Sequence, residues 1–192
     1  MLLTEAEWSI CRDPEPMLHA ICFSKLQREA RVFAITCVRR AWQLLPDGCR
    51  HAVDISEMFA NGHVDVTRLT TAFSIAEEEA RTICNNGRSP DARAYAASAA
   101  VDASSVWERT PANVLSSTSC AASAIACAAA EKDESNYDRI FEDARVVEIA
   151  AQAEILRTIV SLREFSQSRT KRCTGVAEQL VLKWKVDWRQ PG

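Results

Sequence analysis

Apolar residues recur at three- and four-residue steps along most of the chain, the period of helices that bury one face. The clearest run predicts a helix over 25–45. Leu26, Ala30, Phe33, Cys37, Ala41 and Leu44 share one stripe there, Ala34, Val38 and Leu45 widen it, and Arg28 and Arg39 lie opposite. Ser24 stands as its N-cap. Leu45-Pro46-Asp47-Gly48 ends it, because proline cannot extend a helix. Upstream, Thr4-Glu5-Ala6-Glu7 reads as a capping box opening a short helix to about Cys11. Asp13-Pro14-Glu15-Pro16 breaks that helix and starts another through Met17, Leu18 and Ile21.

Further helices follow. The stripe Cys49, Ala52, Val53, Ser56, Phe59, Ala60 predicts one over 49–61, with Asn61-Gly62 as its exit. Asp65 caps the next, on which Leu69, Ala72, Phe73, Ala76, Ala80, Ile83 and Cys84 share a face and Glu77-Glu78-Glu79 reads as a solvated face. Ser89-Pro90 and Thr110-Pro111 are matching start signals, a cap followed by proline at the first helical position. They open two alanine-rich helices, to about Glu108 and about Ala130. A last long helix is predicted from Tyr137 to Phe165, with Ile140, Ala144, Val147, Ala151, Ile155, Ile159 and Leu162 as its buried stripe. Ser166 to Thr174 reads as a polar, basic loop. Beyond it Leu180, Leu182, Trp184, Val186 and Trp188 alternate at strand period. The expected architecture is all-α: one compact bundle of about seven helices joined by short loops, residues 1–165, with a loose C-terminal tail over 166–192.

Composition supports this picture. Of 192 residues 47% are hydrophobic and 26% charged, and only five are glycine, too few for the turns and phosphate loops of Rossmann-type folds. A net charge of −3 argues against a protein held to nucleic acid by its overall field. The eight cysteines are dispersed without a C-x-x-C pair, and Glu5 and Glu7 interrupt any N-terminal leader. The expectation is buried, reduced thiols in a cytoplasmic protein. The longest uncharged run, 110–130, meets the length for a membrane span, but its Ala, Ser and Thr insert poorly, so no membrane association is expected.

Thr4-Glu5-Ala6-Glu7-Trp8, Asp13-Pro14 with Met17-Leu18, and Phe33-Ala34 leading into Cys37-Val38-Arg39-Arg40-Ala41-Trp42 and Leu44-Leu45-Pro46-Asp47 resemble a large paralogous family in planctomycete bacteria. Ala151-Gln152-Ala153-Glu154-Ile155-Leu156-Arg157 is similar to the segment closing that family's alanine-rich part. After Ile159 the chain departs from the pattern, where members continue into an Asn-Pro-Phe-containing segment. The resemblance implies a truncated or divergent bacterial paralogue and supplies no activity, cofactor or catalytic residue.

No zinc-ligand spacing, P-loop, dinucleotide fingerprint or nucleophile elbow occurs, and no metal, cofactor or catalytic residue is assigned. The residues singled out are Arg39, Arg40 and Trp42. They read either as an inter-helix salt bridge to Asp54 or Glu57 with arginine stacked on tryptophan, or as a patch for an anion or a partner. The expected function is a non-enzymatic helical protein–protein interaction or accessory module. The rivals are a small thiol or acid–base hydrolase and a weak nucleic-acid binder acting through Arg39-Arg40 and Lys171-Arg172. A pocket gathering His19, His51 and a cysteine would favour the hydrolase, and an exposed apolar patch would favour a partner.

Overall fold

The computed structural model describes residues 3–21, 23, 25–86, 91–106 and 112–170. Among them are nine α-helices and no strand: α1 (Glu5–Ile10), α2 (Pro14–Ala20), α3 (Gln27–Arg40), α4 (Asp47–Ala60), α5 (Val66–Asn86), α6 (Ala92–Ser104), α7 (Ala112–Ala130), α8 (Tyr137–Ile159) and α9 (Leu162–Thr170). Short 3-10 turns follow α3 and precede α8. The all-α bundle expected from the sequence is the fold.

The alanine-rich helices form its middle. α6 packs on α3, α4, α5 and α7, and α7 packs on α3, α6 and α8. Ala96, Ala97, Ala99, Ala100 and Ala103 are fully buried, and so are Val114, Ala121 and Ala124. A helix buried nearly all round needs side chains small enough for several neighbours to approach, and alanine supplies them without opposing the helix. The bulky residues of α3 then fill the junction between α4 and α8, with Phe33, Cys37 and Val38 inaccessible.

Several element ends follow the local chemistry. Thr4 and Glu7 exchange hydrogen bonds as a capping box, with Thr4 N donating to Glu7 at 2.7 Å and Glu7 N to Thr4 Oγ1 at 3.2 Å. Asp13 accepts from Glu15 N and Asp65 from Arg68 N. Gly62 leaves α4 with φ +74°, a conformation that glycine enters without Cβ strain. Other ends differ. α3 stops at Arg40, a 3-10 turn follows over Trp42–Leu44, and Leu45, the residue before Pro46, is extended. Asp91, accepting from Ala94 N at 2.8 Å, caps α6, which ends at Ser104 instead of Glu108. Ser24, Ser89-Pro90, Thr110-Pro111 and the alternating segment 180–188 lie outside the described residues.

The C-terminal region required two corrections. The predicted helix 137–165 is broken at Val160, and Ser161 opens a new one. Glu164 N donates to Ser161 Oγ at 3.3 Å and Ser161 N to Glu164 at 2.8 Å, a second capping box. Residues 166–170, predicted as loop, are helical. α9 folds back on α1: the Phe165 and Trp8 rings stack with centroids 4.3 Å apart, and Ser166 Oγ donates to Glu5.

The buried face of α8 agrees with the expected stripe only in part, at Ile155 and Ile159. Val147 is 70% exposed and Leu162 45%. The side chains turned inward are Glu148, Gln152, Ala153 and Leu156. Positions 148, 152, 156 and 160 form a stripe at four-residue steps, two of them polar. Of the expected apolar stripe, Val147 is exposed, Ile140, Ala144 and Ala151 are half-buried, and Ile155 and Ile159 pack against the core.

Candidate functional site

Arg39 and Arg40 occupy successive positions on α3, about 100° apart around a helix of 3.6 residues per turn, so their side chains diverge. Arg39 turns to α4, where Asp54 and Glu57, three apart, share a face. Its Nη2 lies 2.7 Å from Asp54 and 2.5 Å from Glu57. Trp42, in the turn after α3, lies between two guanidiniums, Arg39 at 4.8 Å and Arg50 at 5.9 Å from its ring centroid. Burial pulls Arg39 down, but its hydrogen bonds to Glu57 and Asp54 outweigh that and hold it above its ordinary pKa. Arg40 turns to the opposite side, toward α8. The structure therefore joins Arg39 with Trp42 and separates both from Arg40.

Arg40 forms a two-pronged pair with Glu148, Nε and Nη2 each 2.7 Å from a carboxylate oxygen. The hydrogen bonds Arg40 donates to Glu148 raise its pKa more than burial lowers it. The Glu148 side chain is only 4% exposed, against 43% for Arg40, so the pair anchors a carboxylate inside the bundle and leaves the cation at its rim. One turn on, buried Gln152 donates to Thr118 O of α7 at 3.0 Å. These two polar side chains tie α8 to α3 and α7.

A second interior cation is Arg31, 6% exposed. Nη1 donates to Ser56 Oγ at 3.1 Å and Ala103 O at 3.2 Å, and Nη2 to Ser105 O at 3.0 Å. Those carbonyls belong to the last turn of α6, where the helix supplies no donors of its own. The guanidinium also lies 5.2 Å from the Phe59 ring centroid. Burial lowers its pKa to about 10, so it stays charged at neutral pH. Sequence reasoning missed Arg31.

Burial dominates the thiols. It raises Cys37 well above the ordinary value, with nearby Glu148 adding to the effect and Arg40 opposing it. Cys49 is pushed up to about 12 by burial and by Glu79. Cys120 and Cys127 are raised as well, again chiefly by burial. Asp102, itself raised by burial, accepts from Ser116 Oγ at 2.5 Å. His19, His51 and His63 are all exposed. Cys84, expected on the apolar face of α5, is exposed, whereas its neighbour Ile83 packs against the core.

Glu79 is likewise no solvated residue. It reaches the first turn of α4, where Cys49 N donates to it at 3.1 Å. A Cβ at Gly48 would stand 2.6 Å from that carboxylate, so glycine permits the approach. Beside it an open groove of about 1040 Å³ runs along α5. Thr67, Thr71, Ser74, Glu78 and Thr82 line it, with no histidine or cysteine among the described lining residues. Most of its hydroxyls are turned back to α5 carbonyls: Thr71 to Thr67 O, Ser74 to Thr70 O and Thr82 to Glu78 O.

Val66 and Ile75 in that groove are exposed, and so are two apolar residues on the outward side of α8. Val146 is 62% and Val147 70% exposed. Ile140, Ala144 and Ala151 are half-buried and lie outside the core cluster. Among the described residues no group of three or more His, Cys, Asp or Glu side chains gathers where it could hold a metal ion. α7 alone among the described helices is long and apolar enough to cross a membrane, and here α3, α6 and α8 pack against it.

No protein-family model, curated protein or solved structure matches this chain.

Proposed function

We propose that this chain is a helical protein–protein interaction or accessory module that presents the outward side of α8 to a partner. The observation that carries this reading is the pair Val146 and Val147, exposed on a helix whose buried side is built around Glu148 and Gln152. Two bulky apolar side chains left exposed on a helix that buries polar ones favour a second packing surface over a solvated face. A thiol hydrolase is disfavoured, because a nucleophilic cysteine needs a lowered pKa and Cys37, Cys49, Cys120 and Cys127 are all raised. Nucleic-acid binding through Arg39 and Arg40 is disfavoured, because carboxylates engage both. The proposed setting is cytoplasmic and reducing, consistent with the six described cysteines being free thiols. We also place the chain, on the resemblance alone, among the planctomycete paralogues.

Affinity capture from the host tests the reading, with the native chain and Val147→Asp as paired baits. A protein held by the first and lost by the second, while both stay equally folded, is the expected result. Partners retained equally by both baits would remove α8 as the binding surface. An amide or ester hydrolysis activity abolished by Cys120→Ser would replace the reading with the thiol enzyme.

A further inference from the structure

We propose that α1 and α9 form one clasp that opens and closes as a unit, separately from the bundle beneath it and whatever α8 binds. Each helix is fastened by a single ring. Trp8 is the buried residue of α1, on which Ile10 is 77% exposed. Phe165 is the buried one among the described side chains of α9. The two rings stack, with centroids 4.3 Å apart and planes 19° from parallel. α1 packs chiefly on α9, and α9 chiefly on α1. Ser166 Oγ on α9 donates to Glu5 in the first turn of α1, a second link between the same two helices.

Neither helix stands without this contact. α1 has six residues and α9 nine, whereas isolated helices shorter than about 12–15 residues are marginal in water. Their capping boxes, Thr4 with Glu7 and Ser161 with Glu164, order the first turn of each helix but supply no tertiary anchor. Undocking Trp8 removes the surface on which Phe165 lies, and undocking Phe165 does the same to Trp8. The two helices therefore share one opening equilibrium. The body is built differently: α3, α6 and α7 each bury several residues and pack on three or more helices. Elements with few buried apolar contacts open at lower free energy than such a core.

Arg157 marks where the clasp meets the body. From α8 its Nη1 donates to Trp8 O at 3.2 Å and to Cys11 O at 2.5 Å, carbonyls at the end of α1 that the helix leaves without donors. Opening breaks both bonds. It also uncovers Cys11, half-buried when closed, with Sγ donating to Asp13 O at 3.2 Å. Linkage runs in both directions: a ligand that captures α1 in the open state releases α9 with it, and one that holds α9 closed keeps α1 in place. The clasp thus couples residues as far as 161 positions apart in the sequence.

Hydrogen exchange read by mass spectrometry, with site-resolved thiol labelling, tests this on the full chain. In the native protein the amides of α1 and α9 should share one protection level, at least about tenfold below that of α3 and α6. Phe165→Leu keeps an apolar side chain and removes the ring stacking. It should raise exchange in α1 about tenfold, as much as in α9, and speed labelling of Cys11 to match, with α3, α6 and Cys37 unchanged. Ile10→Ala, on the exposed side of α1, should leave α9 at its native protection. Loosening confined to α9, with α1 and Cys11 at native rates, overturns the clasp. Loosening that spreads equally to α3 and α6 overturns it too, because α1 and α9 would then belong to one cooperative core. Native chain in rising sub-denaturing urea gives the same answer without a substitution: one common slope for α1 and α9 is expected, and two different slopes overturn the proposal.

Discussion

At Glu148 the carboxylate is buried and its partner Arg40 is not, so the two ends of this pair respond differently to mutation. Arg40→Ala leaves a carboxylate inside the bundle with no cation. It should cost about 2–3 kcal/mol, less than the 3–5 of a fully enclosed pair because Arg40 reaches water. Glu148→Gln keeps a polar group at the position and frees Arg40 to solvate, and should cost about 1 kcal/mol or less. Urea denaturation of the two variants checks the order; equal losses would mean that Glu148 is not desolvated. Cys49 gives a pH signature. Its thiol titrates near 9.0 in the unfolded chain and near 12 in the folded one. The folded state therefore holds that proton more tightly, a contribution complete below pH 9 and lost as pH rises toward 12. The stability difference between the native chain and Cys49→Ala should shrink as pH climbs past 9; an unchanged difference would contradict the assignment. Arg31 acts in the opposite sense above about pH 10, but it is common to both proteins. The sequence made Cys49 legible, since it lies on a clean apolar stripe. Arg31 and Glu148 were hidden because a charged residue is assigned outward unless tertiary partners are known.

Elements were legible where large apolar side chains mark the buried face, as on α3, α4 and α5. They were not legible where polar residues do the inward packing, as on α8, or where a break is made by capping and not by proline. Ser161-Leu162-Arg163-Glu164 carries the capping signature in plain view, yet the apolar period runs across it and suggested one continuous helix. α9 then turns back so that Phe165 covers Trp8, and Arg157 binds the end of α1, with Nη1 2.5 Å from Cys11 O and 3.2 Å from Trp8 O. The N-terminal helix is thus held by residues late in the chain. Phe165→Ala should cost about 3–5 kcal/mol, because it opens a cavity against a buried tryptophan. Truncation after Thr170 should preserve the helical circular dichroism signal, whereas truncation after Ile159 should expose Trp8 and shift its fluorescence to the red. A chain that unfolds when cut after Thr170 would place further core residues in the segment beyond it.

On the scale of the whole molecule, the arrangement is a gradient of side-chain size and polarity. Alanine helices sit at the centre, bulky residues of α3 fill the junctions, and buried polar groups fix α8 at one edge with Val146 and Val147 outward. That orientation distinguishes a surface that can bind a partner from a bundle that has merely buried its hydrophobic residues. The fold class was readable from period and composition alone. The candidate surface was not: Val147, in the middle of the stripe that looks like the core of α8, faces solvent, and only the packing of α3 and α7 against Glu148 and Gln152 reveals it. Urea unfolding of Val147→Asp beside Leu156→Asp tests the orientation most directly. The account predicts that Val147→Asp stays within about 0.5 kcal/mol of the native chain, as exposed substitutions do, while Leu156→Asp loses more than about 3 kcal/mol or fails to fold. Comparable losses for the two, or a larger loss for Val147→Asp, would mean that α8 is turned the other way and that its apolar stripe belongs to the core.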